Sequence, residues 1–103
     1  MKQPDACLML LVAQELEEML IDVLLEHEDI VRRFGSQPID AHGARIGYAN
    51  IAEQVRGRSQ RIEFQLLLAR EDIDAILAAL RERLPRAEIT YWAIPLLAYG
   101  RVN

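Results

Sequence analysis

Residues 61–85 read RIEFQLLLAREDIDAILAALRERLP, and a change of hydrophobic period inside this one stretch decides the fold. From Arg61 to Ala69, Ile62, Phe64, Leu66 and Leu68 alternate with Glu63, Gln65 and Leu67, the two-residue repeat of a strand. Beyond it Ile73, Ile76, Leu77, Leu80 and Leu84 recur at helical spacing. Glu71, Asp72 and Asp74 crowd the first turns of this helix, while Arg81, Arg83 and Arg86 gather at its end, each complementing the local end of the helix dipole. Pro85 stops it. A strand therefore runs straight into a helix.

The same succession precedes it. Ala6–Val12 (ACLMLLV) is continuously apolar and too short for a stable helix, which predicts a strand buried on both faces. Leu16, Met19, Leu20, Val23 and Leu24 then mark a helical stripe, opposed by Glu15, Glu17, Glu18, Asp22 and Glu26. This helix is expected to end near His27, before the β-branched pair Ile30 and Val31 opens an extended segment running to about Asp40. Glu88–Leu97 (EITYWAIPLL) supplies the final strand. The order is βαββαβ: an α+β, ferredoxin-like sandwich in a single domain spanning residues 1–103.

Right-handed crossovers put strands one and three at the centre of the sheet and both helices on one face. Proline gives an independent check, because it cannot donate to a ladder and belongs on edges. Pro38 and Pro95 fall in segments two and four, and segments one and three have none. The face away from the helices would be polar in a monomer. Instead both alternating sets of the outer and central strands are apolar, so we expect Leu8, Leu10, Trp92, Ile94 and Leu96 to form an oligomer interface that covers the sheet.

Between these tight segments lies a long polar excursion from Asp40 to Gln60. Charge is asymmetric around it. Residues 1–31 carry a net −7, residues 32–61 carry +4, and the whole chain sums to −4. The basic part lacks the interleaved aromatics of a nucleic-acid surface, having only Phe34 and Tyr48. Cys7 is the single cysteine, which rules out an internal disulfide. The first residues do not form an export signal, and no apolar run reaches the roughly 18 residues of a membrane helix, so a cytoplasmic location is expected.

The excursion supplies binding groups and no recognisable reaction centre. Ala49–Val55 can form a short helix with Asn50 as cap and Glu53 three residues on, placing Ile51 and Val55 on one face, either to dock the segment on its own body or to enter a partner's groove. Tyr48 reads as an anchor for the same segment. Asp40 and His42 are two apart, so on extended chain they point the same way, and a threefold axis could multiply them into a divalent-metal site. Glu26, His27 and Glu28 form a second cluster, in which His27 reads better as a helix-end residue. Ser36 and Ser59 have no evident base, so no enzyme is expected.

A βαββαβ chain of this length with its large insertion between strands two and three resembles the nitrogen-regulatory P-II signalling superfamily, whose trimers project that segment as a partner-binding T-loop. More narrowly, His42-Gly43, Glu53-Gln54-Val55 with Gly57-Arg58, Tyr91-Trp92 with Pro95, and Gly100-Arg101 are similar to an uncharacterised bacterial family of P-II-like proteins often found beside heavy-metal efflux pumps. The resemblance implies a homotrimeric regulatory protein. Its protein partner would be a membrane transporter or a regulator of one, held through Arg45, Tyr48, Ile51, Glu53, Gln54, Val55, Arg56 and Arg58. The alternative of the same fold is a divalent-metal-binding tolerance protein using His42 and Asp40. P-II proteins cradle nucleotide phosphates on a glycine-rich connection between helix two and strand four. Here that connection is Pro85-Arg86-Ala87, without glycine, so no nucleotide cofactor is expected.

Overall fold

The computed structural model describes residues 2–43 and 59–103. Strand β1 (Ala6–Ala13) passes through a single 3-10 turn at Gln14–Leu16 into helix α1 (Glu17–Leu25). Strands β2 (Val31–Ala41) and β3 (Ser59–Leu68) follow. A second 3-10 turn at Arg70–Asp72 leads into helix α2 (Ile73–Arg83), and strand β4 (Thr90–Pro95) completes the order. These form the expected α+β ferredoxin-like sandwich, a four-stranded antiparallel sheet in the order β2-β3-β1-β4. Pro38 and Pro95 both lie on edge strands, where their missing N–H groups cost no ladder bond.

Register fixes what each strand residue faces. Leu8 stands opposite Leu66 and Ala93, and Leu10 opposite Phe64 and Tyr91. Leu8, Leu10, Val12, Ile62, Phe64, Leu66 and Leu68 form one buried layer with Leu20, Val23 and Leu24 of α1 and Ile76, Leu77 and Leu80 of α2. Fully burying each such side chain contributes about 1.5–3 kcal/mol, so this layer is the main source of stability. Phe34 adds a tilted contact to Phe64, with ring centroids 6.4 Å apart.

One expectation is overturned here. Leu8 and Leu10 do not belong to an oligomer interface: both are completely buried beneath the helices. The opposite parity, Cys7, Met9 and Leu11, faces the uncovered side, with Ile94 opposite Cys7 and Trp92 opposite Met9. Period-two alternation says which residues share a face, but when both sets are apolar it cannot say which set the helices cover.

Boundaries also move. β4 is shorter at both ends than Glu88–Leu97, although the Leu96 N–H still donates to the Asp5 carbonyl at 3.0 Å. Met19, placed on the apolar stripe of α1, is about half exposed. The central excursion is narrower than Asp40–Gln60. Asp40 pairs with Gln60 and Ala41 with Ser59, so the β2–β3 ladder closes before the chain leaves the sheet.

Candidate functional site

Three features stand out: the root of the central segment, the sheet face that no helix covers, and a cleft at the end of α2. The root is built by the β2–β3 hairpin, which brings Ala41 and Ser59 side by side and so fixes both ends of residues 42–58 at one edge of the molecule. Asp40 and His42 are exposed at this root. Gly43 follows with φ 143°, a left-handed backbone that favours glycine, and turns the chain out of the strand. Arg45, Tyr48, Ile51, Glu53, Gln54, Val55, Arg56 and Arg58 lie outside the described residues, as does the capped turn expected at Asn50.

The open sheet face is divided into two halves. On the β1–β4 side it is apolar: Met9 and Leu11 are partly buried, and Trp92 and Ile94 are exposed by 40% and 50%. Cys7 belongs to this half, its thiol donating to the Met9 sulfur at 3.5 Å. Burial, with a smaller contribution from the negative charge of Glu63, pushes the Cys7 thiol pKa up, so the group is protonated and weakly nucleophilic at neutral pH. On the β2–β3 side the face is polar. Glu63 accepts hydrogen bonds from Gln37 at 3.3 Å and Gln65 at 3.4 Å, and Arg33 lies beside them on β2. Of the five residues expected at an interface, Trp92 and Ile94 are thus on the open face, while Leu96 lies just beyond the end of β4.

A cleft of about 490 Å³ lies where α2 turns into β4. Ala13, Leu16, Met19, Leu84, Pro85 and Ala87 make it apolar, and Arg61, Arg83, Arg86 and Glu88 ring it with charge. The turn at its wall is tight, closed by the Ala87 N–H donating to the Leu84 carbonyl at 3.1 Å. That amide already has a partner within the turn, unlike the outward-pointing amides of a glycine-rich phosphate loop. Arg83 also pairs with Glu26, which holds the Glu26 carboxyl below its usual range and raises the guanidinium pKa. Sequence reading placed Arg86 at the end of the second helix but missed the cleft, because its residues come from three separate parts of the chain.

The second acidic cluster resolves differently. His27 Nδ1 lies 2.8 Å from the Val23 carbonyl, so the ring satisfies one of the last acceptors of α1. Among the described residues no three His, Cys, Asp or Glu side chains converge as a metal site.

The profile of one protein family, described as a protein of unknown function (DUF3240), matches residues 2–103. The chain belongs to the DUF3240 family. A DUF3240 protein of Shewanella baltica OS155 superposes with a TM-score of 0.78 at 18% identity, covering 99% of this chain and 100% of that one. The nitrogen regulatory PII-like protein CPII of Thiomonas intermedia K12, solved with ADP, AMP and bicarbonate, gives 0.69 at 11% identity over 96% and 97% of the two chains. CutA1 of Pyrococcus horikoshii gives 0.68 at 11%, over 94% and 88%. At these identities the likeness establishes the PII-like fold. No curated protein matches the sequence significantly. Among the described residues no helix is long and apolar enough to cross a membrane.

Proposed function

We propose that this DUF3240 chain is a regulatory binding protein of the PII-like type and not an enzyme, assembling as a closed homotrimer and engaging a protein partner through residues 42–58. The observation that carries the reading is the division of labour across the sheet. Its apolar half-face, with Trp92 and Ile94 bare beside Met9, suits burial against further copies. Its β2–β3 hairpin anchors both ends of the central segment away from that half-face. A long segment between two paired strands can be shaped by evolution for a partner at little cost to the fold, because loop-closure entropy rises slowly with length. The partner favoured by the family resemblance is a membrane transport system, with a heavy-metal efflux pump as first candidate, and the working compartment would be the cytoplasm.

The test compares wild type with a deletion of residues 45–56 as bait against solubilised membrane proteins, alongside light scattering of both. We expect both to have the mass of three chains and only the wild type to retain a transporter. Equal retention by the two baits would exclude the central segment. Calorimetry with copper, zinc, cobalt, ATP and ADP separates the remaining alternatives: metal uptake lost in His42→Ala would instead assign the metal-tolerance role, and tight nucleotide binding would show that the Pro85-Arg86-Ala87 turn is a competent cradle.

A further inference from the structure

The cleft between the start of α1 and the end of α2 combines the properties of a small-molecule site. Its volume of about 490 Å³ falls within the roughly 300–1,000 Å³ of such sites. Leu16, Met19, Leu84 and Pro85 give it apolar walls, and Leu84 ties them to the core in which it is buried. Met19 is 51% exposed although it lies on the apolar stripe of α1, so the cleft keeps a flexible thioether bare, a side chain that adapts to an irregular guest. The hollow beside Lys2 and Asp5 is larger, about 620 Å³, but Ala69 is the one apolar side chain in its described lining. Its polar groups are engaged with one another: Lys2 with Glu71 and Asp72, and Asp5 with the Arg70 amide.

Charge at the opening selects the guest. Arg83 and Arg86 complement the dipole of α2 and would stand at its end in any case. Arg61 has no such reason: it comes from β3, is half-buried, and brings a third guanidinium to the same opening. Glu88 lines the cleft as well and Glu26 holds Arg83, so among the described residues three guanidiniums face two carboxylates and one positive charge is left. Glu15, Glu17 and Glu18 in the adjoining turns add negative charge nearby, which disfavours a polyphosphate. The Ala87 amide is engaged with Leu84, so the anion is read by guanidinium forks, whose geometry matches a carboxylate. We propose that this cleft binds an aliphatic monocarboxylate, its chain against Leu16, Met19, Leu84 and Pro85 and its head group on Arg61 and Arg86. All of these residues belong to one chain, so the site depends neither on the oligomer nor on residues 42–58.

The experiment is calorimetry of the full chain with hexanoate, octanoate and decanoate below their micelle concentrations. Each added methylene is expected to tighten binding about fourfold, the transfer free energy of one buried CH₂. Decanol keeps the chain and lacks the charge, and should bind on the order of tenfold more weakly than decanoate. Arg86→Gln should weaken decanoate by a similar factor and leave decanol unchanged, whereas Met19→Ser should weaken both. Both positions are exposed, and circular dichroism checks that the variants are folded. Ile94→Lys, on the open half-face, should alter neither ligand. Decanoate that gives no saturable heat, or that binds Arg86→Gln and Met19→Ser as tightly as wild type, would overturn the site. ATP held more tightly than decanoate, and lost in Arg86→Gln, would refute the monocarboxylate and make the cleft a phosphate site.

Discussion

The Oδ1 atom of Asp5 accepts the backbone N–H of Arg70 at 2.6 Å, so a residue just ahead of the first strand caps the turn that starts the second helix. The Asp5 backbone also donates to Leu68 and accepts from Leu96, which makes this one residue a junction between β1, the end of β3 and the exit from β4. Asp5→Ala should lower unfolding free energy by about 1 kcal/mol, the usual cost of a lost helix cap. Asp5→Asn, which keeps a side-chain oxygen, should recover most of it. Urea unfolding of the three proteins checks this, and equal midpoints for Ala and Asp would show that the cap carries no stability.

Leu8 and Trp92 should behave as opposites although they lie on neighbouring strands. Leu8→Ala removes a fully buried side chain and is expected to cost about 2–5 kcal/mol, whatever the protein concentration. Trp92→Asp should leave the folded chain intact and act on association alone. Thermal melts over a range of concentrations separate the two effects, because only association makes the midpoint depend on concentration.

Cys7 should react slowly with iodoacetamide in the native protein and fast in denaturant, since burial and Glu63 disfavour the thiolate. The sign for stability follows from linkage. A thiol whose folded pKa is raised keeps its proton after the unfolded chain has lost it, so its contribution is fully present below the unfolded value of about 8.5 and is lost as pH rises through the raised folded value. Native-state labelling as fast as that of the unfolded chain at pH 7 would contradict the burial.

The Arg83–Glu26 pair is surface-exposed, and Glu26 titrates below its usual range because of it. A depressed carboxyl pKa stabilises above the unfolded value and loses that contribution as pH falls through the folded one. Glu26→Gln should therefore shift the melting temperature slightly at neutral pH and low ionic strength, and not at all in high salt, where screening removes surface attraction. A salt-independent shift would point to packing of the side chain and not to charge.

His27→Ala should cost about 1 kcal/mol, the worth of the ring's bond to the Val23 carbonyl at the end of α1. Amide hydrogen exchange is the sensitive readout: fraying should appear in the last turn of α1 and leave α2 unchanged.

The order of elements was legible because periodicity is local. Ile73 to Leu84 announce a helix, and Ile62 to Leu68 a strand, through spacings within one segment. Proline at 38 and 95 marked the edges for an equally local reason, the missing N–H. The metal expectation at Asp40 and His42 was read from parity along one strand, and parity brings two side chains near each other without supplying further ligands. Nothing local revealed the Asp5 cap on Arg70, or the cleft in which Met19, Arg61 and Ala87 meet, since each depends on contacts between residues far apart in the chain.

Period and punctuation along the chain, by themselves, determined that this protein is a βαββαβ sandwich with a long segment between its middle strands, because each helix, strand and stop is decided by neighbours a few residues away. Only the tertiary structure decided which side of the sheet the helices cover. Cys7-Met9-Leu11 and Leu8-Leu10-Val12 are both apolar, so the choice between them is made by how the α1 and α2 crossovers lay their stripes on β1 and β3, a global packing decision that leaves Trp92 and Ile94 bare and Leu8 and Leu10 sealed.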